Sequence, residues 1–300
     1  MIARKKGMIW MKAKIIDGKA VAARVKNEVK NEAERLRQNG IVPGLAVVLV
    51  GDDPASAIYV EGKKKACAQC CIRSFEYVLD KSVNREVLLE LVGKLNNDPK
   101  VSGILIQSPL PEQIDESEII AAISPEKDVD AFHARNVGKI MIGKFDFLPC
   151  TPSGIMELIA DSGIKVEGAG CVVVGRSNIV GKPMAMLLLH KHGTVTICHS
   201  RTKDLASLCR EADILVAAAG KPKIITADMV KPGAAVIDVG IHRLAAADSN
   251  GKKICGDVDF DAVSEVAGYI TPVPGGVGPM TIAMLMKNTV TAAKLQSVNH

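Results

Sequence analysis

Short, unbroken apolar runs alternate along this chain with longer stretches in which apolar residues recur every three or four positions. The first pattern reads as buried parallel strands and the second as amphipathic helices. In the first half, residues 19–39 place Val21, Val25, Val29 and Leu36 on one helical face and stop at Gly40, a helix-ending signal. Residues 45–50 make a buried strand. Gly51-Asp52-Asp53-Pro54 breaks it, with Asp53 or Ser56 available to cap a helix over 56–71. A helix over 84–96 and a strand over 103–107 follow, the strand ended by Ser108-Pro109-Leu110-Pro111. Residues 114–123 are helical and 124–130 form a loop. In the crossing over 145–154, Thr151 can cap and Pro152 can open a helix over 153–162.

From residue 172 the alternation is strict: strand 172–174, helix 184–192, strand 195–198, helix 205–211, strand 214–219 and strand 235–239. That order predicts a doubly wound parallel sheet. A tail over 269–278, YITPVPGGVG, leads into a helix over 279–294 whose Met280, Met284 and Met286 read as core filler.

The chain of 300 residues is long for one core and comfortable for two domains. With 48% hydrophobic against 24% charged residues it has the composition of a folded protein, and no apolar run reaches the roughly 18 residues of a membrane span. Aromatics at 3% and a dispersed net charge of +5 argue against a nucleic-acid surface. Eight cysteines without a secretory leader read as reduced cytosolic thiols. Cys67 and Cys70 make one C-x-x-C with no second pair or suitably spaced histidines, so no metal site is expected. The opening MIARKKGMIWMKAK reads as a ragged start or a weak targeting arm.

Candidate chemistry collects at the ends of the predicted strands, where open α/β sheets keep their ligands. The stretch VVVGRSNIVGKP, residues 172–183, is a strand running into Gly175 and then, through a polar turn, into a helix. That geometry aims backbone N–H groups at a phosphate. Five residues separate Gly175 from Gly181, so the dinucleotide fingerprint G-x-G-x-x-G is not met, and a glycine turn joining two core elements is the plain reading. About twenty residues on, where an NAD site places an acid, stand His199, Ser200, Arg201 and Thr202. Together with Arg176 these suit a 2′-phosphate and NADP, although Asp204 is close by. Tyr59 and Lys63 lie four apart on one helical face; the plain readings are a packing tyrosine and a solvated lysine, but in a cleft burial would make the amine a general base. Gln107 falls at a strand's carboxyl end, Asp128 reads most simply as pairing with Lys127 or capping a turn, and Cys150 reads as packed rather than nucleophilic.

Six motifs carry a resemblance: DDPAS-x-x-Y-V-x-x-K over 52–63, Q-x-P-L-P over 107–111, P-E-K-D-V-D over 125–130, P-C-T-P over 149–152, V-V-G-R-S-x-I-V-G-x-P over 173–183 and P-V-P-G-G-V-G-P-M-T over 272–281. In that order they resemble the bifunctional methylenetetrahydrofolate dehydrogenase/methenyltetrahydrofolate cyclohydrolase family. The resemblance implies two α/β domains with a cleft between them. One is a catalytic, folate-binding domain over 1–152 to which 280–300 return; the other is a Rossmann-like NADP domain over 153–279. It further implies a cytoplasmic homodimer, joined mainly through the Rossmann domain, that serves one-carbon metabolism and purine biosynthesis. The implied activity is NADP-dependent oxidation of methylenetetrahydrofolate to the methenyl cation, then hydrolysis to formyltetrahydrofolate. By carry-over, Lys63 is the general base held by Gln107, Tyr59 lies against the folate and Asp130 binds the pterin edge. Gly175, Arg176, Ser177, Ser200 and Ile241, with Arg201 beside them, contact NADP, and Pro274, Gly275, Gly276, Val277 and Gly278 frame the folate. Two positions depart from the pattern: Ser108, where the family usually has Leu, and Ala131, where it usually has Gly. A small-acid NADP dehydrogenase using Lys63 and Asp130 is the second reading, and a nucleotide-binding module with a decayed site the third.

Overall fold

The computed structural model describes residues 12–244 and 254–298, so the basic arm up to residue 11 lies outside the described residues. Among the described residues eleven strands run in chain order: β1 (Lys14–Ile15), β2 (Gly44–Val50), β3 (Arg73–Leu79), β4 (Gly103–Ile106), β5 (Gly170–Val174), β6 (Thr194–Cys198), β7 (Ile214–Ala217), β8 (Ala235–Asp238), β9 (His242–Arg243), β10 (Ile254–Cys255) and β11 (Tyr269–Ile270). The chain divides into two compact units, one holding the residues up to Gly18 and Ile155–Gly278, the other Lys19–Gly154 and Pro279 onward.

In the second of these units a three-stranded parallel sheet has the order β3-β2-β4, with Leu45 opposite both Ser74 and Gly103. All seven residues of β2 are buried, as a central strand covered on both faces must be. Val48, Leu88, Val92, Ile104 and Ile119 form the core on one face. The strand β3 is absent from the sequence reading. Its RSFEYVL is an edge with polar residues among the apolar ones, so it lacks the unbroken run that marks β2. The helix Ala134–Met141 was likewise not anticipated; the side chain of His133 caps it by accepting the N–H of Arg135. The helix Val277–Val298 packs here through buried Met280, Met284 and Met286, and Asn288 Nδ2 donates to the carbonyls of Val129 (2.7 Å) and Leu148 (2.8 Å).

The other unit carries a six-stranded sheet in the order β1-β11-β8-β7-β5-β6, parallel throughout. Its interior strands β5, β7 and β8 are the apolar runs that the sequence reads as buried. The edge strand β6 is largely exposed. Lys14 and Ile15 pair with Tyr269 and Ile270 and so extend this sheet; as two residues they carry no periodicity of their own. The predicted helix over 153–162 also starts earlier, at Cys150. The carbonyl of Pro149 accepts the N–H of Ser153, which sets Thr151 inside the first turn, where its hydroxyl meets that of Thr281 at 3.0 Å.

Candidate active site and nucleotide turn

Asp53 caps the helix Pro54–Gln69 by accepting the N–H of Ser56 at 2.7 Å. The three lysines on this helix separate at once. Lys64 pairs with Glu76 and Lys65 with Glu61 at the surface, whereas Lys63 turns inward, its Nζ donating to Gln107 Oε1 at 2.6 Å. Gln107 follows β4, its N–H donating to Val48 O at 2.8 Å, and its Nε2 donates to Ser108 O at 2.7 Å. With the amide so oriented, its oxygen faces the lysine and nothing else of the side chain can. Tyr59, one turn before Lys63, keeps its ring about half exposed, at 49%.

Burial pushes the Lys63 amine below its ordinary value, opposed by the charge of Asp130 and by Cys150. The same enclosure raises the Asp130 carboxyl to about 6, against the pull of Lys63. Cys150 Sγ lies 3.6 Å from Asp130 Oδ1, and burial together with that carboxylate pushes the thiol well above the usual range. It stays protonated, as a packed residue. The structure thus gathers Lys63, Gln107 and Asp130, from a helix, a strand end and a loop, into one electrostatic group. Asp128 stands beside this group as a turn cap: its oxygens accept the N–H groups of Phe132 and His133 and Nδ2 of Asn136, and its charge adds to the rise of Asp130. Of its two plain readings, pairing with Lys127 is wrong, since Lys127 Nζ donates to the carbonyls of Leu95 and Asp98.

The two departures from the motif pattern now have surroundings. The Ser108 hydroxyl donates to Glu116. Ala131 is fully buried at φ +58°, a conformation that explains why glycine suits this position.

The six-stranded sheet reverses its order at β5: the chain moves to β6 on one side and then to β7 on the other, the crevice where such sheets hold nucleotides. Gly175 sits there at φ +144°, and an added Cβ would stand 2.2 Å from the carbonyl oxygen of Ala218. A Cβ on Gly181 would meet Gly175 O at 2.2 Å. Backbone alone fits, so the turn packs closely against the end of β7 and the start of the helix that follows. Ser177 Oγ accepts the N–H groups of Val180 and Gly181, shaping the start of the helix Gly181–His190. Arg176, Ser200 and Arg201 are exposed. Asp204, the acid that left NAD open, instead caps the helix Leu205–Arg210 by accepting the N–H of Ser207. Ile241 is 50% exposed, and a Cβ on Gly278 would lie 3.6 Å from its Cδ1, so a residue proposed for NADP adjoins one proposed for folate. In the glycine turn before the last helix Gly275 has φ +112°, and the carbonyl of Pro272 accepts the N–H of Gly276.

Residues 16–130 match the model of the tetrahydrofolate dehydrogenase/cyclohydrolase catalytic domain, and residues 149–297 that of the tetrahydrofolate dehydrogenase/cyclohydrolase NAD(P)-binding domain. The chain belongs to the tetrahydrofolate dehydrogenase/cyclohydrolase family. A bifunctional protein FolD from Acetivibrio thermocellus is 62% identical over 287 residues, 96% of this chain and 99% of that protein. The crystal structure of a bifunctional FolD methylenetetrahydrofolate dehydrogenase/cyclohydrolase from Campylobacter jejuni is 49% identical, with a TM-score of 0.90 over 95% of this chain and 99% of that one. A Trypanosoma brucei methylenetetrahydrofolate dehydrogenase-cyclohydrolase, solved with NADP and an inhibitor, is 42% identical with a TM-score of 0.91, covering 97% and 100%. Membership of the tetrahydrofolate dehydrogenase/cyclohydrolase family leaves the small-acid dehydrogenase reading without support.

Sequence reasoning passed over Asp238, Asp257 and His242. The two aspartates are buried among short apolar strands, where an isolated acid looks like a turn residue.

Proposed function

We propose that the chain oxidises 5,10-methylenetetrahydrofolate with NADP to the 5,10-methenyl cation and hydrolyses that cation to 10-formyltetrahydrofolate. The observation that carries the reading is the inward lysine: Lys63 is drawn from a surface basic run onto Gln107 and shifted toward a neutral amine beside Asp130. NADP, with its pyrophosphate at the Gly175 turn, would supply the hydride acceptor. The carbon that loses hydride lies between two nitrogens whose lone pairs stabilise the cation, so the chain's task in this step is to position. Hydrolysis needs a base. Water adds to the methenyl carbon, Lys63 takes one proton from it, and the bond from that carbon to N5 opens as the remaining hydroxyl proton passes to N5, leaving the formyl group on N10. Gln107 Oε1 accepts one lysine N–H, which points the amine's remaining valences elsewhere.

Tyr59 lies against the folate and Asp130 takes its pterin edge, while Pro274, Gly275, Gly276, Val277 and Gly278 contact the folate. Gly175, Ser177 and Ile241 hold the dinucleotide, with Arg176, Ser200 and Arg201 on the 2′-phosphate. The catalytic and folate residues form one functional domain and the nucleotide residues another. We place the protein in the cytoplasm, consistent with its eight free cysteines, as a homodimer supplying one-carbon units for purine synthesis. The outer side of β6 supports the dimer: no strand covers it among the described residues, and Ile197 and Leu189 stand exposed nearby. No helix among the described residues is long and apolar enough to cross a membrane.

The test is spectrophotometric: methylenetetrahydrofolate with NADP, repeated with NAD, then the methenyl cation alone. Reduction of NADP in preference to NAD, together with decay of the methenyl absorbance, is the expected result. Turnover with a small hydroxy or amino acid instead of folate would overturn the reading.

A further inference from the structure

A second pair of carboxylates lies outside the chemistry above. Asp238 ends β8 and Asp257 follows β10, and they are 2% and 0% exposed. Asp257 Oδ2 accepts the backbone N–H groups of Ala219 (2.6 Å) and Gly220 (2.9 Å). Its Oδ1 accepts that of Lys221 (3.1 Å) and lies 2.7 Å from His242 Nε2. Asp238 in turn accepts the N–H groups of Asp257 (2.8 Å), Gly240 (3.0 Å) and Val258 (3.0 Å). There is no slack around them: a Cβ on Gly256 would stand 1.9 Å from Asp238 Oδ2, and one on Gly240 2.2 Å from Asp257 Oδ1. Burial raises Asp238 to about 7 in spite of its three N–H donors. A buried acid is costly to keep, and what this pair gains for the fold is the order of the loops that leave β7 and β8.

Those loops have a place in the nucleotide site. Ala218, beside the loop gripped by Asp257, carries the carbonyl that closes on Gly175. In a doubly wound sheet the two mononucleotide halves of a dinucleotide lie on opposite sides of the order reversal. Here β6, with Ser200 and Arg201, stands on the adenosine side, and β7 and β8 stand on the nicotinamide side. His242 and Gly240 flank Ile241, the NADP residue that follows β8 on this side.

We propose that Asp257, seated by Asp238, is a positioning residue for the nicotinamide half of the NADP site: it fixes residues 219–221 and, through His242, Ile241, without touching the cofactor. The proposal rests on the dinucleotide reading of this sheet. Its test uses the full chain with Asp257→Asn. Whichever way the new amide flips, its nitrogen faces N–H donors that the carboxylate had accepted. The expected result is a rise of about tenfold or more in the NADP dissociation constant and a fall of similar size in dehydrogenase kcat. Binding of adenosine 2′,5′-bisphosphate, the adenosine half alone, and hydrolysis of the methenyl cation stay within about twofold of the parent. A second pair of variants guards against failure to fold: His242→Leu removes the ring donor and should reproduce the pattern on a smaller scale, and His242→Gln, which keeps a donor, should restore it.

Equal losses of NADP and the bisphosphate, or a parallel loss of hydrolysis, would make Asp257 a general packing residue and overturn the proposal. Parent-like NADP binding and turnover in Asp257→Asn, or in His242→Leu if the first variant does not fold, would overturn it too. A parent protein that binds neither NADP nor the bisphosphate would instead refute the dinucleotide reading itself, and the proposal with it.

Discussion

The group around Lys63 and the turn at Gly175 reach their functions by opposite means. The first is built of side chains whose ionisation is set by enclosure: a lysine lowered, a carboxyl raised to about 6 and a thiol kept protonated, each by burial first, with Asp130 opposing the lysine's shift and Lys63 the carboxyl's. The second is built of backbone. Gly175 and Gly181 work by lacking a Cβ, and Ser177 works by accepting two N–H groups. A site of tuned charges is broken by removing atoms; a site of close backbone approach is broken by adding them.

The largest expected effect follows from removing the amine. Lys63→Ala should slow hydrolysis of the methenyl cation by about 10²- to 10⁴-fold, the usual contribution of a placed general base, while NADP titrates as in the parent. Retained hydrolysis would take Lys63 out of the mechanism. The converse experiment adds an atom: Gly175→Ala should cost about 3 kcal/mol of stability in denaturant unfolding, from backbone strain and the clash with Ala218 O together, and should weaken NADP. A variant as stable as the parent would mean that the turn relaxes freely and is no rigid cradle.

Arg201→Ala or Arg176→Ala sharpens the comparison, because these are the side chains on the backbone-built site. Loss of a charged hydrogen bond should weaken NADP by about 1.5–3 kcal/mol and NAD far less; equal weakening in calorimetry would dissociate both residues from the 2′-phosphate. The tuned site should also answer to pH. Hydrolysis needs neutral Lys63, so its rate rises with pH as the amine loses its proton, at a pH below that of an ordinary lysine. Since Asp130 holds the amine up, Asp130→Asn should move that rising limb to lower pH; a limb that moves up would reverse the assigned coupling. The smallest effect is expected at Ala131. Glycine there relieves a left-handed conformation but gives up one buried methyl, two contributions of about 1 kcal/mol and opposite sign, so thermal unfolding of Ala131→Gly should stay close to that of the parent.

Legibility differed between the regions for the same physical reason. The strands β2, β5, β7 and β8 are covered on both faces, so their residues form unbroken apolar runs that can be read without a structure. The edge strand β3 and the two-residue β1 take their conformation from pairing with β2 and β11, and neither carries a pattern of its own. Lys63 and Gln107 were legible as candidates because each follows a local signal, a capped helix and a strand ended by proline. Nothing local tells Lys63 from Lys64 and Lys65; only the fold turns one inward and leaves the others to Glu76 and Glu61. Asp257 was not legible at all, since its partners at 219–221 and 242 are distant in sequence and three of the four are the backbone N–H groups of Ala219, Gly220 and Lys221.

By itself the sequence determined the class of fold, the place of the glycine turn, the residue types offered to a 2′-phosphate and the motif order that marks the family. These are matters of periodicity, steric size and charge, which each residue carries with it. The tertiary structure alone decided which lysine loses water, which aspartate is raised and which caps a turn, and which loops two buried carboxylates hold. Ionisation and hydrogen bonding depend on what is brought near from elsewhere in the chain, and that proximity exists only once the chain has folded.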